Sequence, residues 1–240
     1  MELGTVEALF RYPVKSMAGE QLDVADIGWH GIPGDRRLAL RKVNDATGFP
    51  WLTASKVREL LLYTPCHMED GADGAIPTHV RTPSGVELPA FGSELASEIA
   101  ERLGAPVEMM HLKHGTFDEA PISVISADTV QEIGRRAELP ADIRRFRPNI
   151  VLRMRRPVPF EEDGWVGGVI SFGDGADSPS VTVTMRDPRC SMINLDPDTA
   201  ASSPEMMKAV VAANGNTAGI YGTVTRGGRI AVGQAAYLTR

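Results

Sequence analysis

Cysteine is scarce in this chain. Only Cys66 and Cys190 occur in 240 residues, far apart and in unlike surroundings, so the sequence holds no disulfide framework and a reducing compartment is expected. No apolar run approaches the ~18 residues of a membrane span. The opening Met1-Glu2-Leu3-Gly4 is acidic rather than basic-then-apolar, so no secretory signal is read there, and no Asn-x-Ser/Thr acceptor follows. An excess of positive charge is missing too: the net charge of −6 argues against a nucleic-acid partner. Together these absences predict a cytoplasmic protein with neither membrane nor nucleic acid as a partner. Familiar catalytic signatures are also absent, with no Walker A loop, HExxH, CxxC or GxSxG, and Gly173-Asp174-Gly175 lacks the third glycine of a dinucleotide fingerprint. His30, His67, His79, His111 and His114 are scattered without metal-ligand spacing, which leaves a zinc hydrolase unsupported; a Cys–His pair that meets only in space stays open.

What is present is a series of short strands. Thr5–Tyr12, Gln21–Ile27, Arg37–Val43, Thr78–Thr82 and Val107–Leu112 are β-compatible and separated by turn sequences such as Gly31-Ile32-Pro33-Gly34-Asp35 and Asp70-Gly71-Ala72-Asp73-Gly74. Ser93 opens a helix in which Leu95, Ile99 and Leu103 share a face and Gly104 stops it. After a buried strand at Ile122–Ile125, Ser126 caps a second helix over Asp128–Leu139. Strands return at Asn149–Arg153, Val181–Met185, Ala218–Thr225 and Arg229–Leu238, and a third helix spans Pro204–Ala213 with Asn214-Gly215 as its stop. Many strands, few helices and no sustained β-α-β rhythm predict a mainly β (α+β) chain built on a closed or nearly closed barrel with peripheral helices. His114–Ala120 reads as a seam between subdomains, and the proline- and acid-rich Pro157–Gly164 as an exposed excursion.

Cys190 stands in the run Met185-Arg186-Asp187-Pro188-Arg189-Cys190-Ser191, where a strand gives way to a loop. Arg186 and Arg189 beside it favour the thiolate, the form that ligates soft metals or attacks electrophiles. Three further segments put cations where short strands begin or end: Tyr12-Pro13-Val14-Lys15-Ser16, Gly34-Asp35-Arg36-Arg37 and Arg145-Phe146-Arg147-Pro148-Asn149. Such cations build a core badly and point well into a cavity where loops converge, Arg presenting a planar fork and Lys a point charge to phosphate.

In their order and over essentially the whole chain, YPVKS, GDRR, FRPNIVL and RCSMINLDPDT resemble the MOSC family. These proteins carry a domain like the C-terminal part of molybdenum-cofactor sulfurase, preceded by an N-terminal β-barrel-like domain. The likeness is greatest to the amidoxime-reducing component and its bacterial relatives. It implies an N-terminal domain over residues 1–113, a MOSC domain over 114–240, and a molybdenum cofactor (Mo-molybdopterin) whose metal is ligated by Cys190, the catalytic residue. By motif, Lys15 and Ser16 would hold the cofactor's polar tail and Arg36 its phosphate; Arg147 and Asn149 would hydrogen-bond the pterin. Pro188 and Arg189 would lend backbone beside the metal, Tyr221 an aromatic wall, and Asp118, Glu119 and Ala120 a contacting loop. The implied activity is reduction of N-hydroxylated compounds such as amidoximes, hydroxylamines and N-hydroxylated bases. No cysteine cluster for an iron–sulfur domain is present, so electrons are expected from separate flavin, iron–sulfur or haem proteins. The alternative is a carrier of cofactor or sulfur in which Cys190 bears a persulfide. Two departures stand out: Ala200 follows Asp-Pro-Asp-Thr where the family usually has glycine, and Pro188 fills a slot that is often serine. Cys66 has no counterpart and reads as structural.

Overall fold

A computed structural model describes residues 1–71 and 74–240; the expected turn at 70–74 therefore lies partly outside the described residues. In chain order β1 (Glu2–Arg11), β2 (Glu20–Leu22), β3 (Val24–Ile27) and β4 (Leu38–Lys42) come first. They are followed by β5 (Thr64–Glu69), β6 (Ile76–Arg81), β7 (Glu87–Pro89), α1 (Ser93–Leu103) and β8 (Val107–His111). The second half holds β9 (Ile122–Ser126), α2 (Ala127–Ala137), β10 (Ile150–Met154), β11 (Val169–Phe172), β12 (Ser180–Pro188), α3 (Glu205–Asn214), β13 (Thr217–Arg226), β14 (Gly228–Ala231) and β15 (Ala235–Thr239).

Seven of these strands close a barrel in the order β10-β9-β13-β12-β11-β15-β1, and β1 pairs back onto β10. The fold is mainly β, as the strand pattern predicts. Closure removes the unpaired edges that an open sheet would leave. β1 precedes the expected boundary at 113/114, yet it is a barrel strand, paired with both β10 and β15. Leu3, Val6 and Leu9 of β1, Val124 of β9, Leu152 of β10 and Ile220 of β13 fill the interior. Outward residues of the same strands, Ile125, Val151 and Ala218, pack instead under α2 and α3 against Val130, Ile133, Met206 and Val210. Each fully buried aliphatic side chain there contributes about 1.5–3 kcal/mol. β9 is covered on both faces, which is why its five residues are all buried and why it pairs in parallel with β10 through the α2 crossover.

The caps follow their chemistry. Ser126 Oγ accepts from Thr129 N at 3.1 Å, and Gly215 ends α3 in the left-handed region. At α1 the capping position is Gly92 rather than Ser93, which is already helical. A second core, with Val14, Leu38, Leu40, Leu60, Tyr63, Val80, Leu95 and Ile99, gathers the N-terminal strands and α1.

Pro157–Gly164 is an exposed excursion only in part, since Pro157, Val158, Pro159 and Gly164 are exposed and Glu162 is not. The segment runs into a 3-10 turn at Glu161–Trp165 whose Glu162 and Trp165 are buried. The Glu162 carboxylate accepts from the Ser126 amide (3.2 Å) and hydroxyl (3.1 Å) at the start of α2, where negative charge is favoured. Burial raises its pKa, partly countered by those hydrogen bonds.

Candidate functional site

The Tyr12–Ser16 segment that follows β1 lies along Arg36–Leu38: Arg36 N donates to Tyr12 O at 2.7 Å, Leu38 N to Pro13 O at 3.0 Å, and Lys15 N to Leu38 O at 2.8 Å. The seam loop joins the same ladder, since Thr116 N donates to Arg36 O at 3.0 Å. Asp118 is thereby brought to Lys15, its Oδ1 lying 2.6 Å from Nζ. From the barrel side, the loop after β12 is anchored between two cores: Ile193 packs under α2 and α3, and Leu195 enters the N-terminal core. Cys190, at the head of that loop, is exposed.

These segments enclose a cavity of about 380 Å³ lined by Lys15, Ser16, Arg36, Asp118, Glu119, Arg147, Pro188, Arg189, Cys190 and Tyr221. Ten residues singled out from motifs scattered through the sequence thus share one space. Two do not. Ala120 is not on the wall, and Asn149, 1% exposed, works behind it: Nδ2 donates to Asp35 Oδ2 (3.1 Å) while Oδ1 accepts from Ser123 N (3.1 Å). Sequence reasoning missed Phe49, Thr53, Ser55, Arg145, Phe146, Asp187, Met192 and Ile193 on the same wall. Phe49, Thr53 and Ser55 come from the long loop after β4, within the Asn44–Lys56 stretch that the sequence marks as a loop shaping substrate choice, although no residue of it is singled out there. A larger cavity, about 540 Å³, shares Arg145, Arg147 and Met192 with this one but does not reach the thiol.

The cations differ in how far they are already committed. Fully buried Asp35 holds Arg36 at 2.5 Å and accepts from Tyr12 N at 2.7 Å. Burial works against the Arg36 charge, but Asp35, together with Tyr221, Tyr12 and Asp118, more than offsets it and the guanidinium is held above its ordinary value. Arg145 donates to Asp196 Oδ2 at 2.9 Å and to Asn194 O at 3.1 Å, bracing the loop after Cys190. Arg189 is spent inside: it donates to Ala218 O and, at 2.8 Å, to Phe146 O, and pairs with Asp187 at 2.7 Å. It crosses Gly219 closely, where an added Cβ would stand 3.1 Å from Nη2 and 2.7 Å from Val124 O. Arg186 turns outward to Asp163, 2.9 Å away. The expectation that these two guanidinia flank the thiol is therefore corrected: the strand's alternation sends one outward and buried carbonyls capture the other.

Arg147 is the exception. Among the described residues no carboxylate pairs with it; Nη1 donates to Met17 O at 2.8 Å, Nη2 is buried without a partner, and the guanidinium lies 4.2 Å from the Tyr12 ring centroid. Burial, reinforced by the nearby Arg36 charge, pushes it down to about 10, so it stays charged at neutral pH. Asp118 answers in the opposite sense: burial raises it, yet Lys15, Arg36 and Arg147 hold its carboxyl below the ordinary range. Asp187 is 1% exposed, and burial against the partial relief of Arg189 raises it to about 6. Burial likewise lifts the Tyr221 phenol, with Asp187 adding to it.

Ser16, Arg36 and Arg147 all have left-handed backbone, with φ of 66°, 51° and 51°. Glycine would relax each position at the expense of the side chain, and strain of this kind collects where side chains serve a site. Ala200 also sits at φ 58°, so the turn after Asp196 keeps its left-handed residue despite lacking glycine.

The donor set fits a cofactor that is anionic at its edge and thiophilic at its metal. An exposed thiol faces a cavity bearing Lys15, Arg36 and a guanidinium without a counter-ion, and oxyanions are well held by such groups.

In three dimensions the chain resembles YuaD from Bacillus subtilis, with 18% identity and a TM-score of 0.52 over 99% of this chain and 98% of that one. A partial likeness, at 21% identity and a TM-score of 0.38, covers 50% of this chain and 55% of YiiM from Geobacillus stearothermophilus. At such identities the likeness to YuaD is one of fold. No curated protein matches the chain. The MOSC domain matches residues 111–237, more than half of the chain, and so this barrel and its thiol-bearing loop belong to the MOSC-domain family, a family associated with the molybdenum cofactor.

Proposed function

We propose that the cavity holds a molybdenum–pterin cofactor with the Cys190 thiolate as its protein ligand, and that the protein reduces N-hydroxylated compounds with electrons from separate partner proteins. One observation carries this reading: the exposed Cys190 thiol shares a cavity wall with Lys15, Arg36 and the unpaired Arg147. The bound metal would supply two-electron removal of the substrate's oxygen, the hard chemistry that a protein delegates to its cofactor. The chain's own residues do the rest. Arg147 and Lys15 neutralise the anionic end, and Arg36, fixed by Asp35 beneath it, keeps its direction without reorganising. Asp187 and Tyr221 line the same cavity, and a carboxyl held near 6 can keep or yield a proton close to neutral pH. Phe49, Thr53 and Ser55 form the wall from which substrate shape would be read.

Full-length protein loaded with cofactor and given an artificial electron donor should convert benzamidoxime to benzamidine; absence of turnover by metal-loaded protein would overturn the reading. The exposure of Cys190 also favours a second reading, a carrier whose thiol takes a persulfide from another protein. Intact-mass analysis separates them: one added sulfur on metal-free protein supports the carrier, whereas stoichiometric molybdenum and pterin support the reductase.

A further inference from the structure

Residues adjacent in a strand normally face opposite ways. Cys66 and His67 of β5 break this rule. Cys66 pairs with His79 and Met68 with Pro77 in unbroken register, but His67 between them adopts φ 53°, a left-handed conformation that no glycine is there to relieve. Holding a non-glycine residue so is strained. The flip brings the imidazole to the face that carries Cys66 and Glu87, where Nε2 lies 2.6 Å from Glu87 Oε2. The ligand atoms of Cys66, His67 and Glu87 all fall within 4.8 Å of one another. Arg81 occupies only the other oxygen, Oε1, at 2.8 Å, leaving Oε2 to the imidazole side. His79 stands edge-on to the His67 ring, centroids 5.1 Å apart, and is itself held at Nδ1 by Thr78 Oγ1 at 3.0 Å. A tetrahedral zinc centre with bonds of about 2.0–2.3 Å separates its donors by about 3.3–3.6 Å, so on binding the hydrogen-bonded His67–Glu87 pair would open from 2.6 Å and the wider separations, none above 4.8 Å, would close.

We infer that Cys66, His67 and Glu87 form a binding site for a single borderline-soft divalent cation of the zinc type, with solvent in the fourth position. The site lies on β5 and β7, stands apart from the Cys190 cavity and does not depend on the function proposed for it. Thiolate, imidazole and carboxylate are the usual zinc donors, and the acidic Glu87 suits a bare cation as the Cys190 cavity does not.

The test is titration of chelator-treated, full-length protein with Co²⁺ and then Zn²⁺. The wild type should take up one Co²⁺ with a thiolate charge-transfer band that Zn²⁺ abolishes. Cys66→Ser should lose the band, while Cys190→Ser keeps it. His67→Gly, which tolerates the left-handed backbone and therefore folds, should weaken Zn²⁺ binding by about tenfold or more, the loss already typical of removing a mere supporting group. A wild type without the band, a band that follows Cys190 instead of Cys66, or unchanged affinity in His67→Gly would each overturn the inference.

Discussion

The two cysteines sit in electrostatic opposites. Around Cys190 the wall carries Lys15, Arg36 and Arg147, and two of its three acids are already matched to cations, Asp118 by Lys15 and Asp187 by Arg189. Around Cys66 the neighbours are two histidines and Glu87, whose carboxyl is pulled down to about 2 by His67 and Arg81. A thiol by itself does not say what it will hold. A cationic hollow selects a metal already dressed in anionic ligands, whereas an acidic, imidazole-bearing surface selects the bare ion.

The largest expected effect separates the two thiols outright. Cys190→Ala should abolish benzamidoxime reduction while pterin remains detectable by its fluorescence, and Cys66→Ser should leave the molybdenum content as it was. Equal loss of molybdenum from both variants would erase the distinction. Next comes Arg147→Gln, which removes the one cavity cation with no ion pair among the described residues. Cofactor retention after gel filtration should fall about tenfold or more, the scale of a charged hydrogen bond. Thermal stability of the cofactor-free protein should not fall, because no partner charge is stranded. A drop in stability without loss of retention would make Arg147 a structural residue.

Asp187 predicts a pH signature. Its folded-state pKa, about 6, lies above the ordinary 3.8, so from about pH 4 to 6 the folded chain binds the proton more tightly than the unfolded one. Stability contributed by the protonated form is present at low pH and lost as pH rises through 6, a difference of about 3 kcal/mol. Urea denaturation of wild type minus Asp187→Asn, measured from pH 4 to 7, should show that decline; a flat difference would count against the buried carboxyl. The smallest effect belongs to Asp118→Asn, which removes an exposed acid from the cationic cavity and releases Lys15. Cofactor retention should rise by less than about fivefold, because the Asp118 end of the pair is open to solvent although Lys15 is buried, and a solvent-screened pair is worth about 1 kcal/mol. A fall would show that the carboxylate itself serves the ligand.

Local chemistry was legible in the sequence. Ser126, Gly104 and Gly215 marked helix ends through capping and left-handed geometry, and the β9 run showed itself by continuous apolarity. β5, β7 and β11 were not read: β5 and β7 are largely exposed and lack a hydrophobic alternation, and β11 is four residues long. Closure of the barrel depends on β1 meeting β10 across nearly 150 positions, which no local pattern encodes. The cations at strand ends did converge, but their directions were hidden. Arg189 looked like a partner for the thiol because it is adjacent in sequence, and it is the buried carbonyls of Phe146 and Ala218 that claim it. Pro157–Gly164 looked like surface by composition and is so at Pro157, Val158, Pro159 and Gly164; Glu162 departs from it because a helix start can bury a carboxylate. Cys66 looked inert because its other partners, Glu87 and His79, arrive from β7 and β6.

The central claim is a bond between one sulfur of this chain and molybdenum. X-ray absorption at the molybdenum edge, on cofactor-loaded wild type and Cys190→Ser, tests it directly. The account predicts one more short molybdenum–sulfur contact in the wild type than in the variant; identical sulfur counts in the two would contradict it.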